Sequence, residues 1–304
     1  MKAVLVEVRK NKILFLMLVP AILYFLVFAY IPMAGSVVAF KRFDYGLGIF
    51  GSPWNGLENF RFFFISGQAW SVTRNTFMYN VMFMVVGNLL QITLAIMLVE
   101  IGSRIFRKIA QTVMFLPYFI SWVVASTIAF NLFNYEFGTI NTMLRFLGLE
   151  TIDVYSNPPA WRWIILFFNS WKWVGFGSVI YLAAIMGIDP ELYEAAQIDG
   201  AGFMSRIRRI TLPLLVPTVL VLILLHVGRI FRGDFDMFFQ LVGDSGNLFE
   251  VTNVIDTFVF RALIRNSDFG MASAAAFYQS VLCFVTIVVV NFIIRRINKD
   301  YALF

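Results

Sequence analysis

Six long apolar runs divide the chain, and they restrict its fold more than any other feature. An α-helix needs about 20 apolar residues to cross the hydrocarbon core of a bilayer, and each run reaches that length. Hydrophobic residues make up 60% of the 304 residues and charged residues only 14%, too few to cover a water-soluble surface. We therefore predict an all-α, polytopic membrane protein with a single domain over 1–304 and six transmembrane helices, at about 13–40, 74–100, 109–134, 161–187, 212–232 and 270–295.

The first run contains Pro20 and Pro32, which predict a kinked span. A cleaved signal peptide is the alternative for this run. Its apolar stretch exceeds the roughly 7–15 residues usual in such a peptide and continues past Pro32 without a clear small-residue cleavage site. We therefore favour a span.

Basic residues cluster beside the predicted span ends and predict the orientation of the chain in the membrane. The formal net charge is +6, and basic residues collect in the loops that stay in the cytoplasm. The asymmetry predicts that both termini and the 101–108 and 188–211 loops are cytoplasmic, whereas the longer loops 41–73, 135–160 and 233–269 are outside. The excess of positive charge is thus explained by the orientation of the chain in the lipid bilayer, and we expect no nucleic-acid partner. The clusters comprise Lys2, Arg9, Lys10, Lys12, Arg104, Arg107, Lys108, Arg206, Arg208, Arg209, Arg295, Arg296 and Lys299.

The 188–211 loop carries the most specific signals in the chain. Asp189 can cap a helix whose first residue, Pro190, has no N–H to leave unpaired. Gly200 can adopt the left-handed conformation that ends such a helix. A second short, basic helix is expected before Pro213, where the next span begins. The pattern predicts a helix–turn–helix at the cytoplasmic face.

The same loop contains a spaced motif that resembles the signature loop of binding-protein-dependent ABC importer permeases. The neighbours of Gly200 extend this resemblance to the carbohydrate-uptake, maltose-type branch of the family. Outer segments such as 255–261 are similar to the subgroup that imports oligosaccharides from complex polysaccharides. The matching residues of the loop are Glu194, Ala195, Ala196, Asp199, Gly200, Ala201, Ile210, Leu212 and Pro213.

The resemblance implies an architecture, a set of partners, a role for the loop and a location in a bacterial cytoplasmic membrane. The architecture is that of a type I ABC importer permease, which switches between inward- and outward-facing states. The loop is the coupling helix that seats in a groove of the ATPase, with Glu194 as a polar contact. The implied partners are a second homologous permease, two ATP-binding cassette ATPase subunits that bind ATP and Mg, an extracellular solute-binding protein and the oligosaccharide.

Several chemistries lack the residues that they need. The sequence contains no Gly-x-x-x-x-Gly-Lys-Ser/Thr phosphate loop, so ATP hydrolysis is assigned to a separate subunit. The chain has one His and one Cys, too few residues of these types for a His-based or Cys-based nucleophilic triad or a four-ligand zinc site. We expect no catalytic residue, metal or cofactor in this chain. The alternatives are an importer for another solute, such as glycerol phosphate or a polyamine, and a membrane-embedded glycan-processing enzyme.

Polar residues within the predicted spans are candidates for the substrate pathway, because such groups are costly in lipid. Lys172 and Trp173 lie in the fourth span, His226 in the fifth and Asn80 in the second. Each has a structural alternative. Lys172 can extend along its span to reach polar surroundings, and all can form hydrogen bonds between helices.

Overall fold

The structure, a computed structural model, describes residues 10–243 and 245–297. Within these ranges the only pairing of extended backbone is an isolated bridge between Lys41 and Trp54. The prediction of an all-α fold is confirmed for this part of the chain. In chain order the helices are α1 (Lys12–Phe40), α2 (Gly48–Gly51), α3 (Glu58–Ile65), α4 (Gln68–Glu100), α5 (Arg104–Phe119), α6 (Trp122–Phe133), α7 (Thr139–Phe146), α8 (Pro158–Met186), α9 (Pro190–Ile198), α10 (Phe203–Val227), α11 (Phe235–Val242), a 3-10 turn (Gly246–Leu248), α12 (Phe249–Thr252), α13 (Ile255–Ile264) and α14 (Phe269–Ile297).

Five of these helices, α1, α4, α8, α10 and α14, are each long and apolar enough to cross a membrane. A sixth crossing requires α5 and α6 together, and these two helices are bent by 95° relative to each other. The span predicted over 109–134 is therefore a pair of helices with a sharp bend between them, and counted as one crossing this pair gives the six predicted spans. Pro117 has no N–H to donate, and the last turn of α5 narrows to a 3-10 helix there. The Ser121 hydroxyl then accepts from the Val124 N–H at 3.3 Å and begins α6 as a separate helix.

The fifth span also differs from its prediction. α10 begins at Phe203 and passes through a π turn at Ile207–Thr211 into the apolar segment, so no separate basic helix precedes the span. The helix ends at Val227, and the predicted last residues of the span, 228–232, form turns and irregular backbone. Gly228 at this end has a Cβ position only 3.3 Å from the Ile287 side chain, which leaves little room for a larger residue.

α1 stays helical through Pro20 and contains a π turn at Leu26–Tyr30. In that turn the Ile31 N–H bonds to the Leu26 carbonyl. Pro32 follows, and the wider turn accommodates a residue that cannot continue the regular bonding pattern. None of the most apolar 18-residue window of α1 is buried within the chain. A helix so apolar and uncovered is typical of contact with lipid or another subunit.

The described residues form two compact units. One runs to Gly67 and includes Val259–Tyr278; the other comprises Gln68–Phe258 and the residues from Gln279 onward. In the first unit, Asn59 donates to the carbonyls of Ala39 at 2.9 Å and Lys41 at 3.0 Å, which ties α3 to the end of α1. The single domain over 1–304 stays a prediction.

The second unit is built around α8, which packs closely against α4 and α5. A Cβ on Gly175 would lie 1.8 Å from the Met114 carbonyl oxygen, and one on Gly177 would lie 2.2 Å from the Gln91 side chain. Only glycine permits the backbone approach at Gly175, whereas a side chain at Gly177 would require the end of the Gln91 side chain to move. One hydrophobic cluster of the same unit buries large side chains that include Tyr79, Trp161, Phe168 and Phe238.

Candidate functional site

α9 begins at a fully formed N-terminal cap. The Asp189 carboxylate accepts a hydrogen bond from the Glu191 N–H at 3.0 Å, and Pro190 occupies the first helical position. Glu191 in the first turn complements the positive end of the helix dipole. These are the contacts predicted from the sequence for this end of the helix.

α9 ends in a Schellman motif centred on Gly200. Gly200 has a φ of +77°, in the left-handed region that side chains with a Cβ adopt at a cost of about 1–2 kcal/mol. Its N–H bonds to the Gln197 carbonyl at 3.0 Å, and the Ala201 N–H bonds to the Ala196 carbonyl at 2.8 Å. Both ends of α9 are thus closed by bonds within the segment, so the helix is held as a rigid unit.

The surface of α9 is open. No residue of the helix is buried, and Ile198 is 87% exposed. Glu194 and Ala195 are exposed as well, and Ala196 is half-buried. The small side chains of the two alanines leave room for a partner protein to approach this open surface closely.

A side-chain hydrogen bond joins α9 to the helix that follows it. The Tyr193 hydroxyl and the Thr211 hydroxyl lie 3.0 Å apart, and Thr211 is buried in the π turn of α10. Because α10 is continuous from Phe203 to Val227, Thr211 belongs to the same helix as the apolar segment that follows it.

The structure brings only part of the predicted contact set together. Glu194 and Ala195 lie on the open part of α9, and Leu212 and Pro213 continue α10. The other five predicted contacts line a groove between α9 and α10: Ala196, Asp199, Gly200, Ala201 and Ile210. Four further residues complete the lining of this groove: Gly202, Ser205, Arg206 and Arg209.

Lys172 lies at the break between α5 and α6. It is buried, and its ammonium group donates to the carbonyl of Tyr118 at 3.1 Å and to the carbonyl of Ile120. A helix break leaves such carbonyls without the N–H partners of a regular helix. These two hydrogen bonds support the structural alternative for Lys172. A role of Lys172 in the substrate pathway stays a prediction.

Trp122, the first residue of α6, lies between Lys172 and Asp234 and contacts both. The Lys172 ammonium lies 5.1 Å from the centre of the Trp122 ring, a cation–π distance. The indole N–H of Trp122 donates to the Asp234 carboxylate at 3.2 Å, and that carboxylate also accepts from the Met237 N–H at 3.1 Å as the cap of α11. These side chains link the break to the segment that follows α10.

The other candidates for the pathway have ordinary interhelical or local bonds. Asn80 donates to the Thr76 carbonyl at 2.9 Å and to the Arg232 carbonyl at 3.2 Å. His226 is exposed, and its Nδ1 lies 2.9 Å from the Leu222 carbonyl in its own helix. The Trp173 ring lies 5.5 Å from the Tyr118 ring and is about one-third exposed. Their roles in transport stay predictions.

Sequence reasoning missed Trp122 and Asp234. Leu116-Pro117 followed by Ser121 was the available signal for a break, since proline and a serine cap mark helix ends. No local signal connects Trp122 with Asp234, because the two are far apart along the chain. Among residues 10–243 and 245–297, no group of three or more His, Cys, Asp or Glu side chains could hold a metal ion.

Long apolar helices with a capped helix between two of them define a polytopic membrane protein. Residues 87–299 match the family described as the binding-protein-dependent transport system inner membrane component. The chain belongs to this family. It is therefore a membrane permease component of an ABC transport system, and family membership agrees with the motif at Glu194–Pro213.

The similar proteins are carbohydrate permeases. The chain is 31% identical to the polygalacturonan/rhamnogalacturonan transport system permease YteP of Bacillus subtilis, over 98% of this chain and 92% of the relative. It is 26% identical to the trehalose/maltose permease MalF of Thermococcus litoralis, over 96% and 95%. A solved bacterial ABC transporter that imports the acidic polysaccharide alginate is 34% identical, with a TM-score of 0.87 over 97% of this chain and 99% of that one. The alginate transporter solved in complex with an alginate pentasaccharide-bound periplasmic protein has a TM-score of 0.86 at 34% identity, over 96% of this chain and 97% of the matched one.

Proposed function

We propose that this permease moves oligosaccharides from polysaccharide breakdown into the cell and that α9 is its contact with the ATPase. The observation that carries the second part is the geometry of α9, a rigid helix with an open surface that is bonded to a membrane span. The relatives named for polygalacturonan, maltose and alginate support the first part.

The proposed assembly pairs the chain with a second homologous permease. Two ATPase subunits that bind ATP and Mg and an extracellular solute-binding protein complete it. A solved relative in complex with a sugar-loaded periplasmic protein supports the last of these partners. The chain itself supplies no ATP site in this proposal.

In this proposal, alternating access depends on the hydrogen bond between α9 and α10. Closure of the ATPase pair displaces α9, and the Tyr193–Thr211 bond and the continuous α10 carry that displacement into the membrane. A ligand shifts such an equilibrium only through different affinities for the two states. In this mechanism ATP and the loaded binding protein supply the difference.

Uptake by the reconstituted complex tests the proposal. Proteoliposomes with both permeases, the ATPase and the binding protein should accumulate labelled oligosaccharide with ATP and not without it. Competition by glycerol phosphate or a polyamine, but not by oligosaccharides, would favour another solute. A chemically altered glycan formed without accumulation would favour an enzyme.

The orientation is tested by thiol labelling in intact cells. Ser156 is exposed in a loop predicted to be outside, and Gly102 is exposed, with open space around its Cβ position, in a loop predicted to be inside. In a Cys283→Ala background, Ser156→Cys should react with an impermeant reagent, whereas Gly102→Cys should react only after permeabilisation. The reverse pattern would show that the chain is inserted with the opposite orientation.

A further inference from the structure

The segment after α10 is not helical, although it lies within the thickness of the membrane. Residues 228–234 form turns and irregular backbone. Asn80 holds this segment through the Arg232 carbonyl, and Asn80 lies about 18 Å along α4 from its first residue. Gln279 of α14 donates to the Phe231 carbonyl at 2.9 Å. Irregular backbone at such depth occurs where protein buries it or where it lines a water-filled cavity.

Two arginines on this segment indicate that it lines a water-filled cavity and is not merely buried in protein. Arg229 and Arg232 are both exposed, two to five residues beyond the last residue of α10. The apolar part of α10, Leu212–Val227, contains 16 residues and spans about 24 Å, so the arginines lie in the outer half of the membrane. A guanidinium directed at lipid there is costly, and charged residues at this depth face a bundle interior or water.

The acidic side chains near these arginines are already bonded elsewhere. Asp256 accepts from the Gly233 N–H at 2.6 Å and from Gln279 at 2.8 Å. Asp234 accepts from Trp122 and Met237. Asp236 is exposed in the first turn of α11, where the helix dipole favours it. The only salt bridge found among residues 10–243 and 245–297 joins Arg61 and Glu58, so no described carboxylate lies within ion-pair distance of Arg229 or Arg232, although Arg232 is near enough to Asp256 to attract it electrostatically.

We propose that Arg229 and Arg232 form a cationic site in the transport pathway that binds the carboxylates of acidic, uronate-containing oligosaccharides. A guanidinium presents paired donors that match the two oxygens of a carboxylate. The site rests on the proposed function, and it narrows the substrate from oligosaccharides in general to those that bear carboxylates. Asn80 lies beside it and supplies the backbone contact that holds Arg232 in place. The transported polysaccharide of the solved relative is itself acidic.

Charge-specific uptake tests the site. The reconstituted importer is supplied with oligomers of galacturonate and of mannuronate or guluronate, and with the same oligomers after reduction of their carboxyl groups. Uptake is measured at saturating loaded binding protein, so that the capture step is the same for every variant. Arg229→Gln and Arg232→Gln should each lower uptake of the acidic oligomers about tenfold, the loss expected for one charge-assisted hydrogen bond.

Controls separate charge recognition from structure. Arg229→Lys, which keeps the charge, should retain more uptake than Arg229→Gln, and uptake of the neutral oligomers should change less than about twofold in any variant. Arg61→Gln removes an exposed arginine elsewhere and should have no effect. The site is rejected if Lys and Gln at position 229 behave alike, if acidic and neutral uptake fall together, or if the wild type imports only neutral oligomers. In that last case the proposed function still stands. The absence of ATP-dependent uptake for every oligomer would instead reject the proposed function, and this site with it.

Discussion

Replacing Ala196 with Trp should release the ATPase from the purified importer and abolish uptake. Ala196 is half-buried in the groove between α9 and α10, and an indole there would prevent close approach of the ATPase. Membrane insertion should be unaffected, because it depends on apolar runs to which Ala196 does not belong. The measurements are co-purification of the ATPase and substrate-stimulated ATP hydrolysis. Leu149→Trp places the same side chain at an exposed position of a loop predicted to be outside and should leave both unchanged.

Gly200→Val tests the same surface through the backbone. Valine at a φ of +77° costs at least about 1–2 kcal/mol, so the Schellman motif should open and ATP hydrolysis should become uncoupled from uptake. Two matched variants isolate the cause. Gly102→Val adds the same side chain without left-handed strain in another loop predicted to be inside, with open space around its Cβ position, and Gly148→Val has the same strain at a φ of +69° in a loop predicted to be outside. Wild-type coupling in Ala196→Trp and Gly200→Val would rule out α9 as the ATPase contact.

Replacing Lys172 with Met should destabilise the importer. The substitution leaves the carbonyls of Tyr118 and Ile120 without their donor in a buried position, at a cost of about 1–3 kcal/mol. We expect a lower thermal unfolding midpoint, less assembled complex and correspondingly lower uptake. Lys172→Arg keeps the charge and donors and should recover part of the loss.

The control for this variant is Lys108→Met. Lys108 is an exposed lysine at the other end of α5, so the same chemical change there should not alter the unfolding midpoint. If Lys172→Met assembles and melts as the wild type does but transports poorly, Lys172 acts in the substrate pathway instead of at the break. Unchanged stability and unchanged uptake would exclude both roles.

The sequence by itself determined the class of protein and the local form of α9. Apolar runs of span length leave a chain no alternative to membrane helices, since every backbone polar group must be satisfied within lipid. The caps of α9 at Asp189 and Gly200 are local as well, because each depends on residues within a few positions of the helix end. Such features can be predicted without any knowledge of tertiary contacts.

Tertiary structure alone decided where the spans break and what the buried polar groups contact. Pro117 and Ser121 permit a break, but the bend persists because Lys172, distant in sequence, supplies the missing donors. The end of α10 at Val227 is likewise held by Asn80 and Gln279 from two other helices. An apolar pattern continues through such points, so it cannot reveal them. Their energies come from hydrogen bonds between distant segments, and only the folded chain brings those donors and acceptors together.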